Sequence, residues 1–148
     1  MLNNRKKILI IEDDHGLIRT LTNLLIIEGF DVITAHTGEG GIRMAFEEKP
    51  DLILADIVLN RISGYDILRM VRASRVTQSV PFIFLSGKVK EKEIRYGLGL
   101  GADDYLCKPF EHEDLLEAIN AQLENYQIEY TAKEGGDRAD GLNTVYHY

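Results

Sequence analysis

Five times along the chain a short apolar run stops on a polar residue and gives way to apolar residues at helical spacing. Ile8-Leu9-Ile10-Ile11 stops at Glu12-Asp13-Asp14, and Leu17, Leu21, Leu24 and Leu25 then recur at helical intervals until Gly29. Phe30 to Ala35 is a less apolar run, after which Thr37 can cap a helix with Ile42, Ala45 and Phe46 on its inner face. Leu52 to Ala55, bounded by Pro50, stops on Asp56; beyond Asn60 to Gly64 comes a helix carrying Ile67, Leu68 and Val71. Pro81 to Leu85 ends at Ser86-Gly87, before a weaker helix through Ile94 and Leu98 that Gly97, Gly99 and Gly101 interrupt. Tyr105-Leu106-Cys107 ends at Lys108-Pro109, and Leu115, Leu116, Ile119 and Leu123 mark the last helix. Strands that are apolar on both faces and alternate with helices require a parallel sheet covered on both sides, because crossovers are right-handed. The expected fold is therefore α/β, a doubly wound five-stranded parallel sheet; of the strand orders such a sheet can take, 2-1-3-4-5 is the one expected here.

A chain of 148 residues holds one such domain with something left over. The domain is expected to cover 1–126. The segment 127–148 has Gly135-Gly136, Gly141, mixed charges and no apolar face, and reads as a linker or disordered tail. A net charge of −7 argues against direct contact with nucleic acid or an anionic membrane, and favours a protein or a cation as partner. One cysteine allows no internal disulfide, and no apolar run is long enough to span a bilayer. The basic start leads directly into acids rather than into a signal-peptide core, so a cytoplasmic location is expected.

Chemistry concentrates where the runs stop. In an open α/β sheet ligands bind beyond the carboxyl ends of the strands, at the switch in strand order. Order 2-1-3-4-5 places that switch between strands 1 and 3, which end in Glu12, Asp13 and Asp14 and in Asp56; strand 4 adds Ser86 and Gly87, and strand 5 adds Lys108. Two carboxylates about 5 Å apart repel by roughly 3 kcal/mol at an effective dielectric near 20, so this arrangement calls for a cation. Mg²⁺ suits it, being held typically by one or two carboxylates plus phosphate oxygens. With Mg²⁺ on Asp13 and Asp56, an Asp56 oxygen could attack phosphorus. Lys108 would pair with a phosphoryl oxygen while the Ser86 hydroxyl and Gly87 N–H bind the others.

From Lys7 to Tyr126 these residues resemble the receiver domains of two-component response regulators, the CheY-like family. The resemblance implies a flavodoxin-like (βα)5 fold and a phosphorylation-activated switch that accepts its phosphoryl group on Asp56. It implies Asp13 as a direct Mg²⁺ ligand, Glu12 as a ligand through water, and the backbone carbonyl of Val58 as the third protein ligand. Ser86 falls at the family's Ser/Thr switch position, Tyr105 at its aromatic switch position, and Lys108-Pro109-Phe110 matches its Lys-Pro-Phe, implying a cis Lys108–Pro109 bond. The surface formed by helix 4, strand 5 and helix 5 is then expected to change on phosphorylation and to regulate a partner or output domain. A sensor histidine kinase or phosphotransfer protein would be the donor. Two positions depart from the family: Asn60 replaces a customary Pro, which predicts a more mobile loop, and Val58 stands where some relatives carry an amide that assists water, which predicts slow loss of phosphate.

Blander readings stand beside these. Asp14 serves equally well as a helix cap, Tyr105 as a packing aromatic, and Cys107 as a core thiol. None of the four histidines shows metal-ligand spacing; His15 reads as a solvated helix start. A Mg²⁺-dependent phosphohydrolase with an aspartyl nucleophile would share the site, but usually needs a second acid where this chain has Val58. A flavin protein would need a phosphate-binding loop where Glu12-Asp13-Asp14 would repel the phosphate. The preferred reading is a switch that catalyses only its own phosphorylation and dephosphorylation. From Glu111 to Glu129 every charged residue except His112 is acidic, so salt-bridged pairing through helix 5 is not expected, and the chain should be a monomer or weak dimer. Helix 4 opens with Lys88, Lys90, Lys92 and Arg95, a mildly basic contrast.

Overall fold

The computed structural model describes residues 4–87 and 90–135, with side chains as far as 124; Lys88 lies outside these. Strands β1 (Lys7–Ile11), β2 (Asp31–Ala35), β3 (Leu52–Asp56), β4 (Phe82–Ser86) and β5 (Asp104–Cys107) alternate with helices α1 (His15–Ile27), α2 (Gly38–Glu48), α3 (Gly64–Ala73), α4 (Glu91–Gly99) and α5 (His112–Gly135). All pairings are parallel, as the apolar rhythm predicts, and the order is the expected β2-β1-β3-β4-β5.

Alternation along the strands divides the core in two. Leu9, Ile11, Ile53, Ala55, Phe82 and Phe84 pack on one face against Ala45 of α2 and Ile67, Leu68 and Val71 of α3. Ile8, Ile10, Leu52, Leu54, Ile83 and Leu85 pack on the other against α1 and α5, through Ile18, Leu21, Leu25, Leu115 and Ile119. Each of β1, β3 and β4 thus supplies both faces, which is why their sequences read as unbroken apolar runs.

Local chemistry fixes where the helices begin. Asp14 caps α1, accepting from the Gly16 and Leu17 amides at 2.9 and 3.2 Å, so its cap role is realised. Thr37 caps α2 through the Gly40 amide at 3.0 Å. Ser63 and Asp66 form a reciprocal capping box on α3.

Two expectations need correction. Cys107 is exposed, not a core thiol: it ends the edge strand β5, whose outermost position no neighbouring strand covers. The buried line of α2 is Gly38, Gly41 and Ala45, with Phe46 only partly buried, because α2 lies so close that Cβ atoms on Gly38 and Gly41 would meet Ile62 and Ile11 at 2.3 and 2.5 Å. The backbone of α5 is helical from His112 to Gly135. Gln127, Glu129, Ala132, Lys133 and Glu134 are good helix formers. Residues 136–148 of the expected tail lie outside the described residues.

At the sheet edge opposite the acid-bearing strand ends, Arg72 ties three segments together. It donates to the carbonyls of Gly101 (3.0 Å), Gln78 (3.1 Å) and Val80 (2.6 Å) and to the Asp103 carboxylate (2.9 Å), which in turn accepts from the Phe82 amide at 2.8 Å. Arg72→Ala strands these acceptors in a largely buried place. It should cost about 3 kcal/mol in urea unfolding, with an unchanged slope against denaturant.

Candidate functional site

Register brings the predicted groups together. Ile11 pairs with Ala55, so the next residues, Glu12 and Asp56, stand side by side. Asp56 pairs with Leu85 and Ser86 with Cys107, which ranks Ser86 and Lys108 along the same edge. The Lys108 amide donates to the Ser86 carbonyl at 2.7 Å, and the Lys108–Pro109 peptide is cis.

The Lys108 ammonium bridges two carboxylates, donating to Glu12 Oε1 at 2.8 Å and to Asp56 Oδ2 at 3.0 Å. Glu12 is only 1% exposed and Asp56 7%. The other oxygen of Asp56 accepts from the Val58 amide at 3.1 Å. Glu12 Oε2 accepts from the Asp13 and Asp14 amides at 3.0 and 3.2 Å, so Glu12 shapes the loop that presents Asp13. Glu12, Asp13 and Asp56 each offer an oxygen within 4.8 Å of the others. Lys108 is thus the cation already built between strands 1 and 3.

Burial raises the Glu12 pKa and the nearby Asp56 charge adds to this, while the bond from Lys108 opposes it. Burial works against the Lys108 ammonium, yet its bonds to Glu12 and Asp56 hold its pKa above the ordinary lysine value. Three carboxylates facing one ammonium leave a formal excess of two negative charges.

The remaining predicted residues line the same edge. Ser86 is buried, Gly87 is exposed with open space where a Cβ would stand, and the Val58 side chain is 74% exposed. Tyr105 is partly buried; its ring packs on Phe84, its hydroxyl meets that of Tyr65, and the Ser86 side chain lies near it. In the loop after β3, Arg61 adopts a left-handed backbone at φ 74° and pairs with Glu39 at 3.5 Å.

Two neighbours of the site escaped the sequence reading. Gly64 opens α3 with its Cα pressed on the backbone of Asp56 and Ile57; the Ser63-x-x-Asp66 capping pattern marks the helix start but not this approach. Tyr65 has no signal in apolar periodicity at all.

Residues 8–120 match the family described as the response regulator receiver domain. Among curated relatives, the alkaline phosphatase synthesis transcriptional regulatory protein PhoP of Bacillus subtilis is 35% identical over 129 residues, covering 87% of this chain and 53% of PhoP. The DNA-binding response regulator MtrA of Mycolicibacterium smegmatis is 35% identical over 125 residues, 84% of this chain and 54% of MtrA. The chain therefore spans about half the length of the curated relatives it matches. A CheY-like response regulator receiver domain protein from Methanospirillum hungatei has a crystal structure similar to this one, with a TM-score of 0.80 and 30% identity over 85% of this chain and 99% of that one. An acid at the end of the third strand, a lysine at the end of the fifth and a match running through all five strands agree: the chain belongs to the response regulator receiver domains of two-component signalling.

Proposed function

We propose that Asp56 is the phosphoacceptor. The observation that carries this is its setting, with Oδ2 on Lys108, Oδ1 on the Val58 amide, and two further carboxylates in reach. An Asp56 oxygen attacks phosphorus in line, the donor's bond to phosphorus breaks, and the leaving group takes the electron pair. The product is an acyl phosphate. Lys108 then turns from its carboxylates to a phosphoryl oxygen, and the Ser86 hydroxyl and Gly87 N–H serve the others. Ser86 and Tyr105 act as the switch pair that re-forms the surface of α4, β5 and α5. The receiver unit is taken as 1–126.

The donor set fits Mg²⁺: the offered atoms are carboxylate oxygens, and the formal charge excess is that of a divalent ion. Asp13, Asp56 and the Val58 carbonyl would hold it directly. Both Glu12 oxygens are engaged, Oε1 by Lys108 and Oε2 by backbone amides, which supports an indirect role through water. Bound there, the ion would draw in a phosphoryl donor and offset its charge. Mg²⁺ should raise the melting temperature of the native chain in a concentration-dependent way. Without Mg²⁺, Asp13→Asn should melt higher than native because one unbalanced charge is gone, and it should respond little to the ion. An undiminished Mg²⁺ response in Asp13→Asn, read by calorimetry, contradicts the ligand assignment.

The donor is a histidine kinase or phosphotransfer protein and the target a protein partner in the cytoplasm; nucleic acid contact by this unit itself is not part of the proposal. Among the described residues no helix is long and apolar enough to cross a membrane. Glu111, Glu113, Asp114, Glu117 and Glu124 are all exposed, which favours a monomer or weak dimer over salt-bridged pairing through α5. The chain turns over no external substrate in this reading. Val58, exposed over Asp56, offers no group to orient water, and Val58→Asn should shorten the phosphate lifetime several-fold in a decay assay. A lifetime longer than native would refute the role given to Val58.

A further inference from the structure

Tyr105 does not stand alone. Its ring lies 5.5 Å from Phe84, which lies 5.2 Å from Tyr65 on α3, and Tyr65 stands edge-on to Tyr96 of α4 at 5.0 Å. The hydroxyls of Tyr65 and Tyr105 are 3.4 Å apart, either able to donate. That is long for an O–H···O bond, so it can be exchanged at small cost. Burial, and then the Tyr65 hydroxyl, push the Tyr105 phenol far above its ordinary range, so the Tyr105 hydroxyl keeps its proton at neutral pH.

The chain of rings reaches the surface. Tyr96 is 47% exposed, and Arg69 of α3 both donates to its hydroxyl and places its guanidinium 5.8 Å from the ring centre. Beside it, Gly97 lets α4 rest directly on the core rings: a Cβ there would lie 3.1 Å from Phe84 and 3.3 Å from Tyr105. Movement of Tyr105 therefore cannot leave Tyr65, Gly97 and Tyr96 undisturbed, because close-packed aromatic contacts transmit displacement.

We propose that Tyr65 is a positioning residue of the switch: through its hydroxyl contact with Tyr105 and its ring contact with Tyr96, it carries a rearrangement at Ser86 to the seam between α3 and α4, making Arg69 and Tyr96 part of the surface that changes. This rests on the phosphoacceptor reading above. The Tyr105 hydroxyl meets that of Tyr65 with the Ser86 side chain also near it, so a phosphoryl group on Asp56 that draws Ser86 away would alter the balance between them.

Two measurements on the full chain separate this link from the reading it rests on. With tyrosines labelled at the hydroxyl-bearing ring carbon, Tyr65→Phe should move the Tyr105 resonance and Tyr105→Phe should move that of Tyr65. No movement in either overturns the link, whether or not the chain accepts phosphate. With Mg²⁺ and a small acyl phosphate, the native chain should show amide shifts at Arg69, Tyr96 and Gly97. Tyr65→Phe should gain the same phosphoryl mass while its shifts at Arg69 and Tyr96 shrink by about twofold or more. Undiminished shifts overturn the relay. Absence of phosphoryl mass in the native chain counts against the phosphoacceptor reading instead, and the ring-carbon measurement then decides the hydroxyl link.

Discussion

Gly64→Ala should lower stability by about 3 kcal/mol and cut the rate of phosphorylation, although residue 64 carries no chemistry. An added Cβ would lie 2.4 Å from the Asp56 carbonyl oxygen and 2.9 Å from the Ile57 Cα, both backbone atoms that cannot rotate aside. Either α3 backs away from the sheet or the end of β3 shifts, and the Gly64 amide loses its 2.8 Å bond to the Ile57 carbonyl. For a domain of this size the loss corresponds to a fall of roughly 10 °C in melting temperature. Gly87→Ala is the matched control, since a Cβ at Gly87 meets nothing within 4 Å. Equal melting temperatures for the two variants would contradict the account of α3 packing.

Lys108→Met should destabilise the chain by about 2 kcal/mol at neutral pH, somewhat less than a fully buried pair would lose, because the lysine side chain is a quarter exposed. The cost should depend on pH in a defined direction. Glu12 already has a raised pKa, and removing its cationic partner raises it further. A carboxyl whose folded pKa lies above its unfolded value binds more protons folded than unfolded, so it loses stability as pH rises from the unfolded pKa through the folded one. The variant's deficit should therefore be small below the ordinary carboxylate range and grow as pH rises through the raised pKa of Glu12. Urea midpoints of the two proteins across that range measure it. A deficit that is constant with pH would mean that Lys108 acts by packing alone.

Most of the fold was legible because both faces of β1, β3 and β4 are covered, which leaves unbroken apolar runs that, alternating with helices, call for a parallel sheet. The acids and the lysine were legible for the same reason: each stops such a run, and strand order then sets them on one edge. What depends on distances across that edge was not. Lys108 reads in sequence as a partner for phosphate; that it also balances the charge of the acids, through a 2.8 Å bond to Glu12 and a 3.0 Å bond to Asp56, is visible only in the structure. Cys107 misled because a strand of apolar type reads as buried until its edge position is known. Arg72 left no trace because three of its acceptors are backbone carbonyls, identical in every residue type. Helix α5 runs on because local propensity can extend a helix that no apolar pattern announces.

The central claim is that Asp56 carries the phosphoryl group, and intact-mass spectrometry tests it most directly. After incubation with Mg²⁺ and a small acyl phosphate, the native chain should gain the mass of one phosphoryl group, lost on alkaline treatment as an acyl phosphate is, and Asp56→Asn should gain none. No added mass on the native chain, or the same addition on Asp56→Asn, would contradict the account.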